Sequence, residues 1–275
     1  MLAIATTATN AFAPDKEIHM LTDLYEFTMC SSYIDNNVEG TATFDLFIRK
    51  MPESRSYFVA MGISDALDAI RKMRFSGAQL EYLKGIGLKK EFIGYLKKFR
   101  FTGDIRAVPD GTMVFPNEPV MSVTAPIVQA QLVEGFVLNT INVQTTLASK
   151  AARVVSAAAG SKVVEFGMRR SQGASAALQA ARCSYAVGAI GTSNVLAGMK
   201  YRIPVFGTMA HSYVSSFNSE EEAFRAFVKT FPDRTTLLVD TYDTANGIRK
   251  AIDIAKELEG NGHGLGAIRL DSGDL

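Results

Sequence analysis

At 275 residues, 47% hydrophobic and 21% charged, the chain is long enough for one large or two small domains with a sizeable core. Its formal net charge of +1 excludes a global field that would draw nucleic acid or an anionic membrane surface, so an anionic substrate must be held by local groups. The two cysteines, Cys30 and Cys183, have no metal or redox spacing and read as reduced thiols of a cytoplasmic protein, and no apolar run reaches the ~20 residues of a membrane span.

Residues 1–17, MLAIATTATNAFAPDKE, lack a basic leader and a long apolar run, and read as a frayed tail with His19 at its end. Residues 23–33 have helical spacing with Leu24, Phe27 and Met29 apolar, Thr22 as N-cap and Tyr25 on the amphipathic surface. Residues 41–49 alternate as a strand, with Phe44, Leu46 and Ile48 on one face, and residues 55–62 suggest another. Helices follow at 64–73, after a capping box from Ser76 to Gln79, and at 91–99. Beyond Phe101, short apolar pieces separated by Pro109-Asp110-Gly111 and Pro116-Asn117-Glu118-Pro119 turns predict antiparallel β structure. Residues 1–126 therefore read as an α+β domain.

Pro126 marks the boundary to a second domain, 127–275. Residues 127–159 keep one helical pattern, long enough to predict a break near Asn142, and Gly160 follows as a stop. The period then changes. Strand-like runs at 162–166, 187–191, 205–208, 236–240 and 265–270 alternate with helical patterns at 174–185, 195–201, 220–230 and 245–258. This alternation predicts an α/β fold with a parallel sheet, whose chemistry gathers at the C-terminal ends of the strands.

The residues at those ends form a consistent inventory. Arg169, Arg170, Ser171 and Gly173 follow the first run and suit an anion, although a surface arginine pair beside a helix start would look the same. Ser193 and Asn194 follow the second, and Thr208 and His211 the third. A lone histidine there is equally a core imidazole satisfied by a carbonyl, until its neighbours are counted. A capping box from Ser219 to Glu222 then opens a helix with Phe224 and Phe227 on one face. Asp240 and Asp243 follow the fourth run, and Arg269, Asp271 and Asp274 the fifth. Arginines suit phosphate, and aspartates with hydroxyls suit Mg²⁺ and a sugar. No lysine stands at a strand end, which disfavours a Schiff-base aldolase, and the scattered His19, His211 and His263 disfavour a histidine metal centre. The chemistry points to an enzyme acting on a phosphorylated, sugar-containing substrate.

The stretches LTDLYEFTM (21–29), FRFTGDIRAVPDGTMVFPNEP (99–119), VVEFGMRRSQG (163–173), GTSNVLAG (191–198), GTMAHSYVSSF (207–217), LLVDTYDT (237–244) and IRLDSGDL (268–275), in this order, resemble nicotinate phosphoribosyltransferase. The resemblance runs from about residue 18 to the last residue. It implies a type II phosphoribosyltransferase fold, in which an α+β domain adjoins an irregular α/β barrel that is incomplete here. It also implies formation of nicotinate mononucleotide and diphosphate from nicotinate and 5-phosphoribosyl 1-diphosphate, with Mg²⁺ and with ATP hydrolysis coupled through a phosphohistidine. A homodimer with a shared active site is part of the same expectation.

Carried onto this chain, the resemblance makes His211 the phosphorylated residue and Thr208 a nicotinate contact. Phe166 and Tyr25 of a partner copy become the two faces of a ring sandwich. Arg169 is placed near the ring and the diphosphate, and Asp240, Arg269 and Asp271 around the ribose, the Mg²⁺-diphosphate and the ring substituent. The nicotinamide-specific relatives have an aspartate where this chain has Ser193. A serine hydroxyl donates to a carboxylate that an aspartate repels, so Ser193 favours nicotinate. The family continues past the last motif, so residues 1–275 alone are expected to lack activity, as a fragment or as a chain that serves as a binding partner.

Overall fold

The computed structural model describes residues 17–233 and 235–273. Residues 1–16 of the expected tail, and Asp274 from the end of the fifth run, lie outside the described residues. By internal contacts the chain divides after Val205 into two units. Pro126 is an element boundary inside the first of them, the last residue of a strand.

The first unit opens with α1 (Leu24–Asp35), β1 (Thr41–Phe47), β2 (Phe58–Val59), α2 (Ile63–Lys72), α3 (Gly77–Gly85), α4 (Lys90–Lys97), β3 (Asp104–Ala107), β4 (Met113–Val114) and β5 (Pro119–Pro126). Strands β1, β5 and β3 form an antiparallel sheet with β5 central, and β2 pairs with β4. Leu46 pairs with Met121 and Phe47 with Pro119, so Val120 is the extra residue of a bulge. That shift allows consecutive Val120 and Met121 both to be buried. The helices bury one stripe each: Ile63, Ala66 and Ile70 from α2, Leu80 and Leu83 from α3, Phe92 and Leu96 from α4. These join Phe27, Cys30, Phe99 and Phe136 in a single core.

Local chemistry explains the helix starts. Ser76 and Gln79 close both halves of the expected capping box on α3. A distant residue caps α2: Asp110, from the Pro109–Gly111 turn, accepts from the backbone of Ile63 at 2.8 Å and of Ser64 at 3.3 Å. Two expectations fail here. Asp23 is the N-cap of α1, and the Thr22 hydroxyl is instead buried without a hydrogen-bond partner. His19 is packed rather than frayed: its Nε2 lies 3.3 Å from Gln79 Oε1 and its ring stands edge-on to Phe75, and burial lowers its pKa.

The long helical pattern resolves into α5 (Ile127–Leu132) and α6 (Glu134–Ala157), broken at Val133 rather than near Asn142. Asn142 is exposed, so nothing interrupts the helix there. The break coincides with a close approach, because a Cβ at Gly135 would sit 2.5 Å from the Thr22 hydroxyl. The unit ends with β6 (Val164–Glu165), α7 (Ala174–Ala186), β7 (Gly191–Thr192) and α8 (Val195–Tyr201), in which β6 and β7 are parallel. The expected third run forms only a single parallel bridge, from Val205 to Thr192, because β7 offers just two residues to pair with. Cys183 on α7 is buried beside Val59, Met61 and Ala148. Burial pushes both cysteine thiols up to about 12, which leaves them unreactive near neutrality.

The second unit contains α9 (His211–Val214), α10 (Glu220–Thr230), β8 (Thr236–Leu238), α11 (Thr244–Gly260) and β9 (Ala267–Arg269). Strands β8 and β9 are parallel, and α11 is the crossover between them. Their core holds Val214, Phe224, Leu237, Leu238, Val239, Ala251 and Ile254, with Phe227 at its margin. Ser219 caps α10 by accepting from Glu222, while the Glu222 carboxylate reaches Asn218 rather than Ser219, so the expected box is half formed. A Cβ at Gly247 would lie 2.0 Å from the Val239 carbonyl, so glycine is what lets α11 start against the end of the β8 segment.

Candidate active site

Within the second unit, residues from the segment that leads into α9 and from the ends of the β8 and β9 segments are wired into one network. Arg269 donates from Nη1 to the Thr208 hydroxyl at 2.7 Å and from Nη2 to Asp271 Oδ1 at 2.6 Å. The other Asp271 oxygen lies 3.7 Å from His211 Nε2. On the far side of the imidazole, Nδ1 is 3.1 Å from the Thr241 hydroxyl. Thr208, Arg269, Asp271, His211 and Thr241 therefore form a continuous chain of polar contacts. His211 and Asp271 keep about two fifths of their side-chain surface open, at 41% and 42%.

Asp240 anchors this arrangement from below. Its Oδ2 accepts from the backbone of Asp271 at 2.5 Å, from the backbone of Ser272 at 2.7 Å and from the Ser272 hydroxyl at 3.0 Å. Burial alone would raise its pKa, but the hydrogen bonds from Asp271 and Ser272 outweigh that and hold the carboxyl below its usual range. The Asp240 Oδ1 atom is buried with no hydrogen-bond partner. An ionised carboxylate with one oxygen saturated and one unanswered is an acceptor awaiting a donor or cation.

In the first unit, Glu165 organises the ends of β6 and β7. One carboxylate oxygen accepts from the backbone N–H of Gly167 and the other from the Thr192 hydroxyl at 2.6 Å. The Glu165 carbonyl accepts from the backbone of Ser193 at 2.9 Å, and the Thr192 hydroxyl accepts from the backbone of Asn194. Asn194 then caps α8 through Ala197. This carboxylate thereby fixes the turns that carry Phe166 and Ser193. Phe166 is exposed, as is Arg169 in the short 3₁₀ turn Met168–Arg170.

Tyr25 is half exposed on α1, and the neighbouring Glu26 carboxylate pushes its pKa up. Glu26 itself is buried. Gln131 Nε2 donates to it and, at 2.8 Å, to Glu134. Burial raises the Glu26 pKa.

The structure thus joins Thr208, His211, Asp240, Arg269 and Asp271 directly, links Phe166 to Ser193 through Glu165, and leaves Tyr25 and Arg169 outside these two networks of bonds. Sequence reasoning missed Glu165, Thr192, Thr241 and Ser272, although all four lie inside the motifs it singled out. A signal existed for Glu165, since a carboxylate in an otherwise apolar strand demands partners. For Thr241 there was none, as hydroxyls are common at helix starts.

No group of three His, Cys, Asp or Glu side chains among the described residues is placed to hold a metal ion. No helix among them is long and apolar enough to cross a membrane.

Comparison with known proteins agrees with this geometry. Residues 20–142 match the nicotinate phosphoribosyltransferase (NAPRTase) N-terminal domain, and residues 161–275 match the nicotinate phosphoribosyltransferase (NAPRTase) family. A nicotinate phosphoribosyltransferase of Mycobacterium tuberculosis is 53% identical over 257 residues, covering 93% of this chain and 55% of the relative. The Bacillus subtilis enzyme is 40% identical over 264 residues, covering 95% and 54%. The crystal structure of human nicotinic acid phosphoribosyltransferase superposes with a TM-score of 0.83 at 29% identity, over 92% of this chain and 61% of that one. The chain therefore spans a little over half the length of these relatives. With both of its matched regions describing the same enzymes and its fold superposing on one of them, the chain belongs to the nicotinate phosphoribosyltransferase family.

Proposed function

We propose that these residues carry out part of the transfer of a phosphoribosyl group to nicotinate, giving nicotinate mononucleotide and diphosphate, with ATP hydrolysis coupled through phosphorylation of His211. The observation that carries this reading is the accessible imidazole of His211 set beside Asp271, which is itself neutralised by Arg269. Breaking the bond between ribose C1 and the diphosphate oxygen leaves positive charge on the ribose, and the electron pair departs with the diphosphate. The nicotinate ring nitrogen then forms the new bond to C1. Carboxylates such as Asp240 and Asp271 answer the first charge, and Arg269 the second. Mg²⁺ enters with the diphosphate as part of the substrate, since magnesium is usually held by one or two carboxylates together with substrate phosphates. The unpaired Asp240 Oδ1 is the acceptor that suits it.

In the ATP step, an imidazole nitrogen of His211 takes the γ-phosphoryl group, the bond to the β-phosphate oxygen breaks and ADP leaves. The Arg269 guanidinium offsets the Asp271 charge beside the imidazole, which lessens the repulsion that an arriving phosphoryl group meets. The added charge is released on hydrolysis to phosphate, which gives ATP a means of altering substrate affinity. In the first unit, Phe166 offers an aromatic face and Ser193 a hydroxyl for the ring carboxylate, with Arg169 as a cation in the neighbouring turn. The exposed Tyr25 of a second copy would supply the other face in a homodimer.

The test is an assay of the full protein with nicotinate or nicotinamide, 5-phosphoribosyl 1-diphosphate and Mg²⁺, with and without ATP. Nicotinate turnover stimulated by ATP is expected, together with transfer of labelled γ-phosphate to the protein and its loss in His211→Ala. Labelling of His211→Ala at the wild-type level would overturn the histidine's role, and preference for nicotinamide would overturn the substrate.

A further inference from the structure

We infer that Thr241 is a positioning residue for His211, holding the imidazole so that Nδ1 carries the lone pair and Nε2 the hydrogen. The geometry comes from both sides of the ring. Asp271 Oδ2 faces Nε2 at 3.7 Å, and the Thr241 hydroxyl lies 3.1 Å from Nδ1. A carboxylate only accepts, so the nitrogen facing it is the one that carries hydrogen in the neutral ring. A hydroxyl donates or accepts as required, and here it donates to the remaining lone pair. The two groups are therefore complementary: Asp271 selects the tautomer, and Thr241 fixes the ring's rotation so that the selection holds.

Thr241 is itself held firmly. It follows Asp240, whose Oδ2 is bonded to the backbone of both Asp271 and Ser272. The two groups gripping the imidazole thus stand just beyond the ends of the paired strands β8 and β9, tied together by one carboxylate. His211 opens the short helix α9, and the contacts to Thr241 and Asp271 grip its ring from opposite sides. Arg269 is bonded to the same Asp271 carboxylate.

The consequence for catalysis rests on the reading of His211 as the phosphoryl acceptor, whereas the tautomer does not. The experiment keeps them apart by comparing Thr241→Val, which retains the shape and removes the hydroxyl, with Thr241→Ser, which keeps it. The chain has only three histidines, so ¹⁵N labelling of the imidazoles gives a spectrum in which His211 is assigned by its absence in His211→Ala. The spectra are taken at alkaline pH, where they report the tautomer rather than the charge; the expected result is an Nε2–H ring in the wild type and in Thr241→Ser, and averaged shifts of two tautomers in Thr241→Val. An Nδ1–H ring in the wild type, or unchanged shifts in Thr241→Val, overturns the proposal.

Phosphoryl labelling from ATP is read in parallel. The lone pair on Nδ1 makes that nitrogen the acceptor, with the Thr241 hydroxyl giving up its hydrogen bond as the N–P bond forms, so the wild type and Thr241→Ser should carry the phosphoryl group on Nδ1 and Thr241→Val on a mixture of Nδ1 and Nε2, read from the phosphorus spectrum of the labelled protein. Phosphorylation of Nε2 in the wild type, or of Nδ1 alone in Thr241→Val, overturns the catalytic consequence. If the wild type takes no phosphoryl group, the ATP reading fails, and the spectra still decide the role of Thr241.

Discussion

Two charged networks in this chain use the same kinds of side chain to different ends. One joins Arg182 of α7 to Asp65 of α2 at 2.7 Å, with Asp110 4.0 Å away and Gln144 of α6 donating to the same Asp65 oxygen at 2.8 Å. The other runs from Thr208 through Arg269, Asp271 and His211 to Thr241. In the first network the Arg182, Asp65 and Asp110 side chains are 15–19% exposed, whereas His211 and Asp271 are about 40% exposed. Each network leaves one buried acceptor unpaired, Gln144 Oε1 in one and Asp240 Oδ1 in the other. An orphaned atom therefore does not distinguish a working site from a structural joint. What distinguishes them is whether the surrounding groups remain open to a ligand, and whether their partners lie on loops or on helices that they pin together.

The largest effect expected from this contrast is on stability. Arg182→Met leaves Asp65 and Asp110 largely buried without their cation, and should destabilise the fold by about 3 kcal/mol, near the low end for breaking a buried pair. Asp271→Asn, in the open network, should change stability by no more than about 0.5 kcal/mol while abolishing most activity. Urea unfolding of both variants reads the first quantity, and the turnover assay reads the second. Were Arg182→Met to unfold within about 1 kcal/mol of wild type, the closed network would rank with surface ion pairs and the contrast would collapse.

A smaller effect is expected at Ser193. Its backbone is held by the Glu165 carbonyl, so on the proposed reading Ser193→Asp sets a carboxylate where the hydroxyl would meet the nicotinate carboxylate. Like charges in close contact cost enough to lower kcat/KM for nicotinate by about a hundredfold. Nicotinamide, which has no negative charge, should be affected far less. Equal losses for the two substrates would indicate a disturbed loop rather than charge discrimination.

The same contrast governs what the sequence could reveal. The open network was legible because its residues stand at strand ends inside recognisable stretches, where periodicity breaks and polar groups gather. Thr208, His211, Asp240, Arg269 and Asp271 all stand at such ends, and they are joined by direct contacts in the structure. The closed network was invisible. Asp65 and Arg182 are ordinary polar positions on amphipathic helices, and nothing in the spacing says that 117 residues of chain return one to the other. Asp110 was read as a turn residue, which it is, but its capping of α2 depends on tertiary approach. The break in the long helix was misplaced for a similar reason. Asn142 is a weak helix former, yet the break falls at Val133, next to the close approach of Gly135 to Thr22. Tertiary contact overrode local propensity there.

The smallest predicted effect concerns Glu26, a buried carboxyl whose neighbour Tyr25 is a candidate aromatic contact. Glu134, Asp23 and Tyr25 surround it, and burial followed by repulsion from these acids raises its pKa against the bonds from Gln131 and Tyr25. A carboxyl whose pKa is higher in the folded chain binds its proton more tightly there than in the unfolded chain. As pH rises from the ordinary glutamate value through the raised one, the unfolded chain ionises first, and folding loses stability until both forms are ionised. Glu26→Gln keeps a carbonyl for Gln131 and cannot ionise. The variant should therefore match the wild type near pH ~4, below the unfolded value, and melt higher than it near pH ~7. Thermal unfolding of both proteins across this range reads the difference directly. A gap that stays constant with pH would show that folding leaves the Glu26 pKa unshifted, and one that opens toward acid that Glu26 is stabilised as the carboxylate, with Gln131 outweighing its burial.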